Sequence, residues 1–154
     1  MLMSILISAA LCGLFARGSF AWAIGFVALV PWLLALQAQR NVAGALLSGY
    51  LMSVAFTAAV FAWFGVAIGS YTQVGSTTGL VLLLLGAPLF QPQFICFAVV
   101  RHLASRRYSV ALTALAGASA WVATERLVPR LLGDSLGHGL YPFEWMRQVV
   151  DVGG

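Results

Sequence analysis

The chain has 154 residues, of which 62% are hydrophobic and only 8% are charged, whereas soluble domains carry about 25% charged residues. This composition excludes an ordinary soluble domain and predicts an all-α, polytopic membrane protein. The net charge of +4 comes from eight arginines, without any lysine. Because the short loops supply no broad basic face, nucleic acid is not expected as a partner. Phospholipid headgroups are favoured instead.

The first two apolar runs cover residues 2–16 and about 20–39, joined by the short connection at 17–19. We predict a helix in each, with Pro31 inside the second. The first would extend only about 22 Å, against about 30 Å of hydrocarbon. No positive charge precedes its apolar core, so it is expected to remain attached rather than to be removed as a signal peptide.

The middle of the chain carries no charged residue, but the polar stretch 70–78 divides it into predicted helices at about 42–69 and 79–100. Pro88 and Pro92 each remove a backbone donor from the second of these. This pattern predicts either a kink packed against a neighbouring helix or the lining of a polar cavity. Small residues that predict close packing of the first are Gly44, Ser48, Gly49, Gly65 and Gly69.

Residues 101–107 form the most basic loop of the predicted arrangement, and a fifth helix follows at about 108–128. With single crossings, Arg40 lies on the same side as this loop, which the positive-inside rule assigns to the cytoplasm together with the N-terminus. We therefore predict about five transmembrane helices within residues 1–128. Residues 129–154 are expected to form a periplasmic or re-entrant segment that leads to an interfacial or sixth helix.

The ionisable residues concentrate after residue 120, where all four acidic residues lie. The residues predicted to bind lipid or substrate are Trp121, Glu125, Arg126, Arg130, Asp134, His138 and Tyr141. Two interpretations stay open: ion pairs and caps that stabilise a loop, or a cleft in which Arg126 and Arg130 contact a headgroup phosphate. No H-x-x-x-H or C-x-x-C spacing occurs, so neither a metal nor a cofactor is predicted.

Several segments carry a family resemblance when taken in order. They are F-V-A-L-V-P-W-L-L-A-L at 26–36, G-Y-L-M-S-V-A-F at 49–56 leading to Trp63, W-V-A-T-E-R-L-V-P-R at 121–130, L-G-H-G-L-Y at 136–141 and R-Q-V-V-D-V-G-G at 147–154. With these the chain resembles the membrane domain of apolipoprotein N-acyltransferase, a bacterial inner-membrane enzyme that adds a third acyl chain to lipoproteins. It departs from the family pattern at 17–19, where a proline-rich turn is usual, and at L-L-G-D-S, residues 131–135.

The resemblance implies a phospholipid acyl donor, a thioester intermediate on the enzyme and a diacylglyceryl-lipoprotein acceptor. It also implies a nitrilase-like domain with a Glu-Lys-Cys triad, in cis or in trans, so no catalytic residue is assigned within these 154 residues. Two alternatives remain: a stand-alone membrane scaffold or lipid-binding protein, and a small transporter supported by Pro88, Pro92 and the polar stretch 70–78.

The predicted topology is testable with single cysteines placed at Ser76 and Ser105 in a background without Cys12 and Cys96. Because the two positions are predicted to lie on opposite sides of the membrane, an impermeant thiol reagent added outside should label only the periplasmic Ser76→Cys variant. Labelling of both positions from one side would exclude the five-crossing arrangement.

Overall fold

The computed structural model describes residues 1–17 and 20–128, and in these ranges the chain is helical without any strand. Its helices are α1 (Leu2–Ala16), α2 (Val30–Gln37), α3 (Val42–Tyr71), α4 (Ser76–Phe90), α5 (Gln93–Ser105) and α6 (Val110–Leu127), with a 3-10 segment at Phe20–Phe26. The predicted all-α class is confirmed. The segment predicted at 129–154 lies outside the described residues.

Among the described helices, α3 alone is long and apolar enough to cross a membrane by itself. The pair α4 and α5 provides a second candidate span if the two helices, bent by 42° at their junction, are counted as one. The apolar helical stretches Leu2–Ala16 and Ala23–Gln37 are shorter. Length and composition therefore identify one or two spans, and the arrangement with five crossings stays a prediction.

The helix predicted at 20–39 is wrong as a single element, because the chain forms the 3-10 segment and then begins α2 at Val30. Pro31 lies in the first turn of α2. Proline is tolerated there, since a first-turn residue has no helical acceptor for its N–H, whereas an interior proline would clash with the preceding turn. Pro31 therefore starts a short helix.

The helix predicted at 79–100 divides at Gln91 and Pro92, which confirms the predicted kink and places it at the second proline. After the break, α5 continues to Ser105 and includes most of the predicted basic loop. The loop prediction at 101–107 was wrong there because arginine and histidine are compatible with a helix end, where a cation complements the dipole. The polar stretch 70–78 divides α3 from α4 as predicted, and its non-helical part is residues 72–75.

The central helix α3 packs against α1, α4 and α5, while α6 packs against α5. Contact with α4 is close because glycines face each other. A Cβ built on Gly79 would lie 2.7 Å from the Cα of Gly69, and one on Gly65 would lie 3.0 Å from the Cα of Leu80. The predicted role of Gly65 and Gly69 in close packing is confirmed, because these distances leave no room for larger side chains.

Replacing Gly79 by alanine should destabilise the fold by about 1–3 kcal/mol, because the added methyl group meets backbone atoms that move only with the whole helix. Reversible unfolding in mixed detergent micelles measures the difference. Gly86→Ala in the same helix is the matched control, since its nearest atoms belong to the rotatable ring of Phe90. Equal stability of the two variants would contradict the close α3–α4 packing.

Candidate functional site

The fully buried Trp32 joins three helices through hydrogen bonds. Its backbone N–H donates to the Oγ of Ser8 on α1 at 2.9 Å, and its indole Nε1 donates to the Oγ of Ser48 on α3 at 3.0 Å. Both hydroxyls are also fully buried. Since an unpaired polar group in an apolar interior costs about 1–3 kcal/mol, these bonds specify one arrangement of α1, α2 and α3.

An aromatic cluster extends from Trp32 across α5 to α6. The Trp32 ring lies 5.7 Å from Phe94 and 5.6 Å from Phe97, measured between centroids. From the other side, Trp121 contacts Phe94 edge-to-face at 4.9 Å and Phe97 at 6.0 Å. Trp121, predicted to mark the headgroup boundary, is thus half-buried with its ring packed against α5.

The α4–α5 break contains a second set of buried polar contacts. The N–H groups of Ile95 and Cys96 both bond to the carbonyl of Pro92, and the hydroxyl of Ser53 on α3 donates to the carbonyl of Gln91 at 2.9 Å. The side chain of Gln91 is buried and accepts a hydrogen bond from Gln93. The kink is therefore stabilised by α3, as expected for a break packed inside a bundle.

The last turns of α6 bring together three of the predicted site residues. Glu125 follows Trp121 by four residues and therefore lies on the same helix face, one turn further on. It is half-buried, whereas the neighbouring Arg126 is exposed. Because α5 and α6 are antiparallel and Trp121 contacts Phe94, Glu125 lies towards the α4–α5 break. The other predicted site residues, Arg130, Asp134, His138 and Tyr141, lie outside the described residues.

The described residues contain no group of three His, Cys, Asp or Glu side chains that could hold a metal ion. Cys12 on α1 and Cys96 on α5 are both free thiols. Sequence reasoning missed the buried hydrogen bonds of Trp32 and Gln91. The sequence does contain a signal for both. Trp32 follows Pro31 and Gln91 precedes Pro92, and each carries a polar side-chain group that needs a hydrogen-bond partner when it is buried.

Comparison with protein families gives a match that covers residues 7–154, to the apolipoprotein N-acyltransferase N-terminal domain. The chain belongs to this family. The suspected relationship is thereby confirmed over almost the whole chain, including the segment around Glu125 and Arg126. Searches of curated proteins and of solved structures give no match.

Trp121→Ala should lower the free energy of unfolding by about 2 kcal/mol, less than the ~3–5 kcal/mol of a fully buried aromatic residue, because the ring loses both phenylalanine contacts. Unfolding in mixed micelles, followed by circular dichroism, provides the measurement. Trp63→Ala is the control, since Trp63 is 66% exposed and should change stability by less than about 1 kcal/mol. A Trp121→Ala variant as stable as the wild type would show that the ring does not contribute to packing and would favour its predicted position at the headgroup boundary.

Proposed function

We propose that this chain is the membrane domain of an apolipoprotein N-acyltransferase in the bacterial inner membrane, where it binds the phospholipid that donates the acyl chain. The family match over residues 7–154 is the observation that carries this proposal. The chemical step would belong to a nitrilase-like domain that acts on a lipoprotein substrate, in cis or in trans. The role of the present chain is then to position lipid.

The packing of the helices supports a multi-pass arrangement with a cytoplasmic N-terminus. Ser8 and Ser48 share Trp32, and Gly13 lies against Ala59, so α1 and α3 run in the same direction. Arg17 therefore lies at the end of the bundle opposite to Arg40. Such separation is expected when the side with more arginines remains in the cytoplasm.

The proposed donor site lies where α6 ends and its sequence continues past Pro129. Exposed Arg126, together with Arg130 and His138, would contact the phosphate, because guanidinium groups form strong paired hydrogen bonds with phosphate oxygens. Glu125 and Asp134 would orient those cations, with Tyr141 towards the acyl chains, while Trp121 holds α6 against α5. The half-buried position of Glu125 beside exposed Arg126 supports a site at the bundle edge.

A transport function has less support than lipid binding. Its main argument was the proline-containing break, but there the Gln91 side chain bonds to Gln93 and the Gln91 carbonyl to Ser53. These groups serve helix packing. A membrane scaffold that has no enzymatic partner would bind lipid at the same site. A nitrilase-like domain encoded beside this chain would favour the acyltransferase over the scaffold.

Replacing Arg126 and Arg130 together by glutamine should lower the amount of phosphatidylethanolamine that co-purifies with the chain by roughly tenfold, because two charge-assisted phosphate contacts are lost. Mass spectrometry of the purified protein measures the retained lipid. The double variant Arg17→Gln/Arg147→Gln removes the same charge and should retain lipid. Equal retention by both variants, at unchanged helix content, would assign Arg126 and Arg130 a structural role only.

The chain alone should transfer no acyl group to a diacylglyceryl peptide. A thioester route requires a thiolate stabilised by its surroundings, and the chain has no lysine to assist it. Arginine cannot replace lysine as a proton shuttle, because it stays protonated. Incubation with labelled phospholipid measures transfer. Peptide acylation that disappears on replacing Cys12 or Cys96 would contradict this prediction.

A further inference from the structure

The end of the bundle opposite to Arg126 gathers half of the arginines of the chain. We call it the arginine end and define it by Arg40, Arg101, Arg106 and Arg107. The guanidinium of Arg106 donates a hydrogen bond to the backbone carbonyl of Arg40, which joins the end of α5 to the loop before α3. Residues distant in sequence are thereby held in one basic surface.

Within residues 1–17 and 20–128, no carboxylate side chain lies at this end, because Glu125 is the one acidic residue in these ranges and it lies near the far end of α6. The helices α3 and α6 both begin at the arginine end, so their N-terminal dipoles add to the positive potential. Asn41 accepts a hydrogen bond from the N–H of Gly44 at 2.7 Å and fixes the start of α3 beside Arg40. The surface is therefore suited to an anion.

Two buried polar atoms lie just inside this end. Within the described structure, the Nε2 of His102 and the Oγ1 of Thr113 have no hydrogen-bond partner. The residues are 6% and 5% exposed. Antiparallel packing, with Trp121 against Phe94, places His102 and Thr113 at about the same level of α5 and α6. Since buried polar atoms are nearly always paired, these two atoms are available to bond a polar group that reaches this end.

The flanks of the arginine end are apolar and exposed. Leu103 is 49% exposed on α5, Leu112 is 51% exposed on α6, and Tyr108 lies between them at 59%. A soluble anion would use only the arginines, whereas an amphipathic ligand would use both the arginines and this apolar flank. An aromatic residue at the boundary is typical of the headgroup level of a membrane.

We propose that the arginine end binds the headgroup of an anionic phospholipid, with Arg40, Arg106 and Arg107 around the phosphate and the acyl chains along α5 and α6. This site is separate from the donor site at Arg126 and lies in the opposite leaflet. It rests on the membrane placement proposed above. Arg106 uses one of its five N–H donors for the Arg40 carbonyl, so the same group can also bind phosphate.

The test uses the purified whole chain in detergent with equal amounts of phosphatidylglycerol and phosphatidylcholine, and native mass spectrometry counts the bound lipids. The wild type should prefer phosphatidylglycerol. Arg40→Gln/Arg106→Gln should lower the ratio of the two lipids at least fivefold, since an arginine at a membrane surface contributes about that factor. Arg17→Gln is the control and should keep the ratio. Arg126→Gln/Arg130→Gln removes lipid from the donor site and should not lower the ratio of phosphatidylglycerol to phosphatidylcholine.

The proposal would be overturned by a wild type without lipid preference, by an unchanged ratio in Arg40→Gln/Arg106→Gln, or by an equal loss in the Arg17→Gln control. Displacement of phosphatidylglycerol by excess inorganic phosphate would also overturn it, because it would indicate a site for soluble anions. If Arg40→Gln/Arg106→Gln loses helix content, Arg107→Gln provides a second measurement, because the Arg107 side chain is exposed. An unchanged ratio of phosphatidylglycerol to phosphatidylcholine in Arg107→Gln would contradict the proposal. Failure of the chain to insert into nanodiscs would instead contradict the membrane placement.

Discussion

The structure depends on the burial of Trp32 with both of its N–H donors bonded. An apolar interior offers these two N–H groups no other acceptor, so the hydroxyls of Ser8 and Ser48 must both lie within hydrogen-bond distance of Trp32. The contact decides how α2 sits between α1 and α3. The Trp32 ring also contacts Phe94 on α5, and Phe94 in turn contacts Trp121 on α6. These aromatic contacts position α5 and α6 in the bundle.

The antiparallel packing that follows separates the charged residues of the described helices and loops into two groups. Arg40 contacts Arg106 at one end, and Glu125 with Arg126 ends α6 at the other. This separation agrees with the proposed lipid-binding function, because headgroups lie only at the two surfaces of a membrane. The proposed donor site and the proposed anionic lipid site therefore do not compete for the same arginines.

Family membership and packing contribute different parts of the functional argument. Membership identifies the chain as an apolipoprotein N-acyltransferase N-terminal domain, and the match includes the segment that begins at Trp121. Packing modifies the role of Trp121, whose ring contacts Phe94 and Phe97 and so links the candidate site to the core. Trp121 and Glu125 lie on the same face of α6, so the contact with α5 and the candidate site share one side of this helix.

Much of the architecture was determined by the sequence alone. The near absence of charge predicted helices throughout, because backbone groups in an apolar environment must bond to each other. The glycines of α3 predicted a close neighbour. Pro88 with Pro92 predicted a kink or the lining of a polar cavity, because each proline removes a backbone donor. The motifs taken in order from Phe26 to Gly154 also identified the family. These properties depend on local composition and order, which a sequence displays directly.

Other features were decided only by the tertiary structure. Pro31 lies in the first turn of α2, although its sequence pattern also fits the interior of a longer helix. Arg101 and His102 lie within α5, although their pattern also fits a loop. Neighbouring helices and helix ends decide between these alternatives. The pairing of Ser53 with Gln91 and of Arg106 with Arg40 joins residues far apart in the chain. Such contacts depend on which helix faces meet. In uniformly apolar helices the small residues do not determine these faces by themselves, because the choice depends on the packing of the whole bundle.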